Sequence, residues 1–257
     1  MLSLSLASLV SKPLFWPSRC YVTDAKVPKY HHSTYKCPDL FTEASIAAIS
    51  RSLKGMSRLV LNRPRFPSSN ASDPVKRAAV LVPLVNYAPK TTSTPVTEGR
   101  SRASIIYTLR ASTLRNYGGQ VAFPGGVMDP EDEGDFVKTA LRETWEEIGI
   151  ESKHIQPIGL FHDVTSMNGI LVTPVVAYIP NWQSIAYHHA QKNEDEVEEI
   201  FEVPLCHLID PTKFQLDHLK RGPLPRYIVD PYRREKDIWG MTAYITDWLL
   251  RTVLEDR

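Results

Sequence analysis

The feature that most constrains the fold of this chain is a glutamate-rich helix near its centre. Asp135 is a good N-cap, apolar residues then recur at helical spacing, and Gly149 is a C-terminal stop. Steps of three and four residues share a helix face, so Glu143, Glu146 and Glu147 point the same way. Three like charges repel one another, and a divalent cation among them removes that cost. Because oxygen-only ligands favour Mg²⁺ or Mn²⁺, the sequence predicts such a metal on this helix.

The alternative interpretation of a glutamate-rich helix is a solvated acidic face, which is common in soluble proteins. Against it stands the upstream segment 123–126, with the sequence Phe-Pro-Gly-Gly. This is a strand-ending turn whose glycines, Gly125 and Gly126, allow a ligand to approach the backbone closely. The turn and the helix together favour a binding site over a bare surface.

These residues resemble the Nudix box, the loop-helix-loop of hydrolases that cut nucleoside diphosphates linked to another moiety. Its pattern is G-x5-E-x7-R-E-U-x-E-E-x-G-U, where U is a bulky apolar residue. The second half is matched by Arg142, Glu143, Glu146, Glu147, Gly149 and Ile150, with Thr144 at the first apolar position. The first half departs, because Gly126 and Arg142 are sixteen residues apart instead of fourteen. Gly134 therefore stands where the first Glu of the box is expected.

The extended loop offers four acids that can replace the missing Glu of the box. They are Asp129, Glu131, Asp132 and Glu133, and Asp132 is the first choice. The resemblance implies that the three helix glutamates are metal ligands.

The segment before the box narrows the resemblance. It is similar to the extra motif of the coenzyme A diphosphatase branch of the Nudix family, which runs L-L-T-x-R-[SA]-x3-R-x3-G-x3-F-P-G-G. The matching positions are Thr108, Arg110, Ala111, Arg115, Gly119 and Phe123 to Gly126. The likeness extends over roughly residues 76 to 252.

Coenzyme A carries a 3′-phosphate and a diphosphate, and the planar fork of Arg meets phosphate oxygens in pairs. We therefore expect Arg110 and Arg115 to bind substrate, beside Gly125 and Gly126. For either arginine alone, an ordinary role is an equal interpretation: Arg110 would pair with a carboxylate such as Asp129, and Arg115 would be solvated. Their joint place in the motif favours binding.

Two further segments resemble the same branch. Ser166 lies in one of them and either lines the substrate cleft or belongs to an ordinary turn. The acid-rich segment 193–205 is interpreted mostly as solvated surface. Within it, Glu196 matches a family Glu that contacts a metal or acts as the base, with Glu194 and Glu199 as rivals.

The resemblance implies metal-assisted hydrolysis of coenzyme A or acyl-coenzyme A to 3′,5′-ADP and (acyl-)4′-phosphopantetheine. A carboxylate, Glu196 or Glu146, would take the proton of the attacking water, and Arg142 would orient the glutamates. Two alternatives stay open. The substrate is another nucleoside diphosphate, such as NADH or ADP-ribose, or the chain is a non-catalytic nucleotide-binding module, which Gly134 in the usual Glu position keeps in view.

Composition fits a soluble enzyme. With 257 residues, 42% of them apolar and 23% charged, the chain can bury one full core. A net charge of +1 gives no sign of nucleic-acid binding, and three cysteines are too few for a disulfide framework. The fold class predicted is α/β (α+β), and the resemblance implies the Nudix α/β/α sandwich with a mixed β-sheet between helices. We expect a monomer or homodimer that binds a small-molecule substrate.

The amino-terminal region is predicted to lie outside this domain. Residues 1–36 are basic, contain serines and have one acid, which is typical of a mitochondrial presequence, with a peroxisomal location as the alternative. Residues 37–75 are predicted to contain a helix over 41–62, capped by Thr42, and a linker. No apolar run is long enough to span a membrane.

Secondary structure within the domain, 76–252, follows from hydrophobic patterning. The predicted strands are 78–85, 104–109, 155–160 and 171–179. An amphipathic helix is predicted near the end of the domain, around residues 238–250, and the basic segment before it is interpreted as a solvated loop.

Overall fold

The structure is a computed structural model that describes residues 38–61, 75–88, 101–188, 191–219 and 222–254. The predicted presequence, most of the predicted linker and the loop before residue 101 lie outside these residues. No helix among the described residues has the length and apolar character needed to cross a membrane.

The described residues form five α-helices and eleven strands. The helices are α1 Glu43–Gly55, α2 Phe136–Ile148, α3 Trp182–His188, α4 Leu205–Leu208 and α5 Gly240–Leu254. The strands are β1 Val60–Leu61, β2 Arg77–Tyr87, β3 Arg102–Arg110, β4 Val121–Ala122, β5 Gly125–Val127, β6 Gln156–Leu160, β7 Asp163–Thr165, β8 Leu171–Tyr178, β9 Val197–Pro204, β10 Phe214–Leu219 and β11 Gly222–Tyr227.

Nine strands form one mixed sheet. The order is β1-β7-β8-β2-β3-β4, while β5 pairs with β2, β6 with β8 and β9 with β3. Strands β2 and β8 are parallel, whereas β3 runs antiparallel to β2 and to β9. Strands β10 and β11 form a separate hairpin.

Helices cover both faces of this sheet. Side chains of α2 and α3 pack on one face with Leu81 and Ile106, whereas those of α1 and α5 pack on the other with Val82 and Ile105. Because successive strand residues point to opposite faces, β2 and β3 are buried on both sides. The predicted α/β/α sandwich with a mixed sheet is therefore confirmed.

Helix α2 has the bounds that its sequence predicts. The carboxylate of Asp135 accepts a hydrogen bond from the Val137 amide at 2.8 Å, which caps the amino end. Gly149 ends the helix with a φ of +71°, a conformation that glycine adopts without the steric cost of a Cβ. Local chemistry alone thus places this helix.

The sheet splits at one end. Strands β2 and β3 pair directly only through residues 84–87 and 102–105. Beyond that point β4 pairs with β3, and β5 pairs with β2, so the segment 121–127 separates the two long strands. The Leu81 amide donates to the Pro124 carbonyl at 2.8 Å, which fixes this wedge in place. The end of β3 and the starts of β8 and β9 lie at the same split end.

Helix α1 is shorter than the sequence predicts. Thr42 caps it together with Ser45, but the chain becomes extended at Met56, and Leu59 is 52% exposed. The residues after Met56 are used in a different way, because β1 pairs with β7 and Arg58 forms an ion pair with Asp163.

Two segments that the sequence predicts as surface are strands. Residues 197–204 form β9, in which Val197, Phe201 and Val203 are buried. The basic segment before α5 contains the β10–β11 hairpin. In β9, glutamates stand between the apolar residues and obscure their alternation. The sequence therefore resembles a polar surface segment more than a strand.

A buried hydrogen bond between β3 and α5 provides a test of this packing. The Tyr107 hydroxyl lies 3.0 Å from the Thr246 Oγ1, and the Thr246 hydroxyl donates to the Thr242 carbonyl. Thr246→Val leaves the Tyr107 hydroxyl buried without a partner and should lower the free energy of unfolding by about 1–3 kcal/mol. Adding Tyr107→Phe should restore part of this loss, because no donor is then unsatisfied. Urea unfolding of the single and double variants measures the effect; equal stability of wild type and Thr246→Val would contradict it.

Candidate active site

The carboxyl-terminal half of α2 lies against the glycine turn at the split end of the sheet. The Glu147 carboxylate accepts a hydrogen bond from the Gly125 amide at 3.1 Å. The Glu143 carboxylate lies so close to Gly126 that a Cβ on this glycine would overlap it. A Cβ on Gly125 would overlap the backbone of β2. Glycine at residue 125 is therefore required by the backbone of β2, and the missing Cβ at residue 126 leaves room for the Glu143 carboxylate.

Glu147 is the most buried carboxylate of the three, with 3% of its side chain exposed. Its pKa is raised to about 7, chiefly by burial and further by the nearby charges of Glu143 and Glu196. The Gly125 amide and the guanidinium of Arg110 oppose this rise, since Arg110 Nη1 lies 3.2 Å from Glu147 Oε1. A carboxylate held in this way among like charges provides a strong attraction for a cation.

Arg142 is bound on one side by the extended loop. Its Nε and Nη2 donate to the two oxygens of Asp132 at 3.1 and 3.0 Å. Asp132 is buried, and it also accepts hydrogen bonds from the Thr139 hydroxyl and the Asp129 amide, both at 2.9 Å. The paired guanidinium, with these bonds, holds the pKa of the Asp132 carboxyl at about 2. Asp132 is therefore charged at neutral pH.

The other acids of the loop do not share this position. Glu131 is exposed, Glu133 pairs with Lys138, and Asp129 lies 3.7 Å from Arg142 with 59% of its side chain exposed. Glu133 and Gly134 both adopt positive φ, at +54° and +81°. These two residues take up the extra length of the loop and bring Asp132 to Arg142.

On its other side Arg142 contacts two of the helix glutamates. Its Nη1 lies 2.9 Å from Glu143 Oε1 and 3.2 Å from Glu146 Oε2. Burial raises the pKa of Glu143, whereas the guanidinium lowers it. Arg142 thus connects a fixed, buried carboxylate, Asp132, to the two more exposed glutamates of the site.

Glu196 reaches the same place from the loop before β9. The Asn193 amide donates to the Glu147 carbonyl at 2.9 Å, and the Ala111 amide donates to the Glu196 carbonyl at 2.8 Å. These bonds fasten the loop to the carboxyl end of α2 and to the end of β3. The charge of Glu196 raises the pKa of both Glu143 and Glu147, so its carboxylate lies within electrostatic reach of them.

The two rivals of Glu196 lie elsewhere. Glu194 is 85% exposed and pairs with Lys192 at 3.5 Å. Glu199 pairs with Lys236 at 2.5 Å and with Arg233 at 2.9 Å, on the neighbouring surface. Of these three, Glu196 is the one whose charge raises the pKa of Glu143 and Glu147 among the described residues.

This donor set has the chemistry of a divalent-cation site. Within the part of the chain that the structure describes, no three His, Cys, Asp or Glu side chains already converge as a ligand set. The three sequence-predicted ligands, Glu143, Glu146 and Glu147, lie in the carboxyl-terminal half of one helix, and the charge of Glu196 acts on Glu143 and Glu147. All donors are carboxylate oxygens, which suit Mg²⁺ and Mn²⁺, so the residues present fit such an ion.

The predicted substrate-binding residues differ in their surroundings. Arg110 pairs with Glu147, not with Asp129, and its Nε is buried with no partner among the described residues. Arg115 is exposed on the loop after β3. Ser166 belongs to a turn, where its hydroxyl accepts a hydrogen bond from the Ile170 amide at 3.0 Å.

Sequence reasoning missed the Arg110–Glu147 pair, although one signal was available. Ile106 and Arg110 are four residues apart on β3, so they point to the same face, and Ile106 packs in the core under α2. The bond of Thr139 to Asp132 depends on the conformation of the extended loop, and that of Asn193 to α2 depends on contact between segments distant in sequence; neither has a local sequence signal.

The raised pKa of Glu147 predicts how the metal-free protein responds to pH. A glutamate whose pKa is higher in the folded state stabilises the fold when protonated, and this contribution is lost as pH rises from about 4.5 to about 7. In the presence of a chelator, Glu147→Gln should therefore lose less stability than wild type between pH 5 and 8, by roughly 2 kcal/mol. Urea unfolding at several pH values measures this slope.

The control for this experiment is Glu131→Gln, which changes an exposed glutamate of the neighbouring loop. The change in its free energy of unfolding with pH should match that of wild type. Equal slopes for wild type and Glu147→Gln would show that Glu147 has an ordinary pKa in the folded state.

Comparison with known proteins identifies the family. The NUDIX domain model matches residues 89–227. The chain is 37% identical over 188 residues to the protein named "uncharacterized Nudix hydrolase NudL" of Photorhabdus laumondii, covering 73% of this chain and 90% of that protein. It is also 37% identical over 191 residues to the NudL of Cronobacter sakazakii, covering 74% and 88%.

Among solved structures, the chain is similar to a Caenorhabditis elegans Ap4A hydrolase binary complex. The identity is 18%, the TM-score is 0.36, and the match covers 52% of this chain and 84% of that one. A likeness of this size says nothing about the substrate of this chain.

The relatives also correct the predicted location. They are bacterial, and bacteria have neither mitochondria nor peroxisomes. The mitochondrial location, together with its peroxisomal alternative, is therefore wrong. A basic, acid-poor start is a compositional signal that many other segments share.

Nudix enzymes generally use divalent metal ions, which agrees with the carboxylates gathered at the end of α2. The family acts on phosphoric anhydrides, with a nucleoside diphosphate derivative as substrate. This chain belongs to the Nudix hydrolase family.

Proposed function

We propose that this Nudix hydrolase cleaves the diphosphate bond of coenzyme A and acyl-coenzyme A, giving 3′,5′-ADP and (acyl-)4′-phosphopantetheine. The observation that carries the proposal is the position of Arg110. This residue of the coenzyme A motif pairs with Glu147, and its buried Nε–H has no partner among the described residues. A phosphate oxygen is the acceptor that best suits such a donor.

The proposed metal is Mg²⁺ or Mn²⁺, held by Glu143, Glu146 and Glu147. When bound, such an ion neutralises diphosphate oxygens and lowers the pKa of a water molecule. The role of the protein is to hold the carboxylates at the required place. Arg142 does so by charge-assisted hydrogen bonds to Glu143 and Glu146, while Asp132 keeps its guanidinium fixed.

The proposed base is Glu196 or Glu146. Glu196 is favoured by its loop, which is fastened to α2 and β3 by backbone hydrogen bonds, and by the effect of its charge on the pKa of Glu143 and Glu147. Glu146 is the most exposed of the three helix glutamates, with 46% of its side chain accessible. Either carboxylate can take the proton of the attacking water as the phosphorus–oxygen bond is broken.

Substrate phosphates are proposed to bind along the loop after β3. Arg110 would hold the diphosphate, and exposed Arg115 would reach the 3′-phosphate. Gly125 and Gly126 would let the diphosphate lie close to the backbone. Ser166 stays a proposed lining residue, although its hydroxyl already serves its own turn.

NADH or ADP-ribose is the second candidate substrate. The arginine motif favours coenzyme A, because neither alternative carries a 3′-phosphate for the second arginine. The alternative of a non-catalytic module depended on Gly134, which stands where the box has its first Glu. The buried carboxylate of Asp132 binds Arg142, and this supports the enzyme over that alternative.

The first experiment is product analysis of the full chain with coenzyme A and Mg²⁺ or Mn²⁺. Mass spectrometry should detect 3′,5′-ADP and 4′-phosphopantetheine, and Glu146→Gln should lower kcat by at least about 100-fold because a metal ligand is lost. Turnover should cease with a chelator and return with either metal.

Competing substrates decide between the candidates. The same assay with NADH or ADP-ribose as substrate should give a lower kcat/KM than the assay with coenzyme A. Cleavage of these nucleotides without cleavage of coenzyme A would refute the proposed substrate and leave the family assignment intact.

The glycine turn supplies a second test. Gly126→Ala places a Cβ against the Glu143 carboxylate and should displace it by about 1 Å, which can cost about 100-fold in kcat. Gly55→Ala is the matched control, since a Cβ at Gly55 meets nothing within 4 Å. Both variants are assayed for turnover and for thermal unfolding. Full activity of Gly126→Ala would show that the position of Glu143 is not critical.

A further inference from the structure

Two loops at the split end of the sheet are joined by one side-chain hydrogen bond. Asn168 Nδ2 donates to the Tyr117 hydroxyl at 2.7 Å, across 51 residues of sequence. Tyr117 belongs to the loop after β3, which also carries Arg115. Asn168 belongs to the turn between β7 and β8. Despite this bond, Tyr117 is 49% exposed, so its ring is fixed at one end and open to solvent.

The loop after β3 is built so that Tyr117 points outward. The Arg110 amide donates to the Gln120 carbonyl and the Gly119 amide to the Arg110 carbonyl, both at 3.0 Å, which closes the loop on Arg110. Its interior is filled by backbone, because a Cβ at Gly118 would lie 2.8–3.0 Å from three carbonyl oxygens of the loop. Tyr117 itself has a φ of +58°, a costly conformation for a tyrosine.

Sheet register places this bond across the site. Residue 110 ends β3, and β8 begins at Leu171, beside the start of β2. Between β8 and β3 lie β2 and the 121–127 segment, so the two loops reach toward each other over these strands to form the bond. It therefore crosses the end of the sheet at which the Gly125 amide meets Glu147.

The exposed chemistry at this place suits a flat aromatic group. Tyr117 offers a ring face, and Met167, next to Asn168, is 75% exposed and offers a flexible thioether. Arg115, two residues before Tyr117, offers a positive charge for phosphate. A nucleotide presents the complementary pair of groups. Its base can stack on the aromatic ring, and its phosphate can bind the positive charge.

We infer that Tyr117, held by Asn168, is the residue on which the adenine base of the substrate stacks. The inference rests on the proposed function in that it places the nucleotide half of the substrate over the loop after β3. It does not depend on which substrate is cleaved, since coenzyme A, NADH and ADP-ribose all contain adenine. Tyr117 is thus a specificity-determining residue and takes no part in the chemical step.

The test uses the full chain with Tyr117→Ala, Tyr117→Trp, Tyr117→Phe and Asn168→Ala. Tyr117→Ala should raise KM for coenzyme A about tenfold, equivalent to about 1.4 kcal/mol, with kcat within twofold of wild type. Tyr117→Trp and Tyr117→Phe retain a ring face, so their KM should stay within about threefold of wild type. Asn168→Ala should behave as Tyr117→Phe, because both remove only the hydrogen bond.

Binding of the two product halves locates the contact. Calorimetry should show that Tyr117→Ala weakens 3′,5′-ADP about tenfold and leaves 4′-phosphopantetheine unchanged. Thermal unfolding checks that each variant folds, which we expect for exposed positions. An unchanged KM in Tyr117→Ala, equal effects of Tyr117→Ala and Tyr117→Phe, or equal weakening of both product halves would overturn the inference.

Failure of the proposed function gives a different pattern. If wild type cleaves NADH or ADP-ribose and not coenzyme A, the same variants are measured with that nucleotide and with AMP. A KM effect of Tyr117→Ala would then support base stacking while the coenzyme A assignment fails. Calorimetry with 3′,5′-ADP and AMP needs no turnover, so it tests the ring even in an inactive protein; no change in Tyr117→Ala would overturn the inference there too.

Discussion

The ion pair between Arg142 and Asp132 is the interaction on which the active site depends. Three glutamates on one helix end repel each other, and Arg142 can hold two of them only if its own guanidinium is fixed. Asp132 fixes it through both carboxylate oxygens, and burial of this pair is tolerated because Thr139 and the Asp129 amide satisfy the remaining acceptors. The extended loop thus supplies a buried carboxylate that binds Arg142 through both of its oxygens.

The split in the sheet is the second constraint, and it gives α2 a backbone surface to meet. A continuous sheet would have presented side chains to the helix. The wedge between β2 and β3 presents Gly125 and Gly126 instead, so Glu143 and Glu147 come against main-chain atoms. The same split gathers the end of β3 and the starts of β8 and β9 at one place, which is how residues distant in sequence become neighbours.

The parts of the site that could be predicted from sequence are those that depend on local chemistry. The bounds of α2 follow from Asp135 and Gly149, and the shared face of the glutamates follows from helical periodicity. Asp132 could be chosen among four acids, but only the fold distinguishes it by burial. The partner of Arg110 could not be predicted in the same way, because Glu147 lies 37 residues away and meets it only after α2 packs on the sheet. Strand β9 was missed since its glutamates obscure the buried valines.

Arg110 serves the site through its backbone as well as through its side chain. Its amide and carbonyl close the loop that carries Tyr117, and it pairs with Val197 at the start of β9, where a bulge shifts the register of the two strands. The bulge changes the local direction of β9 beside Arg110, whose guanidinium reaches Glu147. Backbone bonds survive any side-chain substitution other than proline, so replacement of Arg110 removes charge from the site while the loop and β9 keep their frame. The charge of Arg110 and its architectural role are therefore separable, and a loss of activity on its replacement reports on the charge.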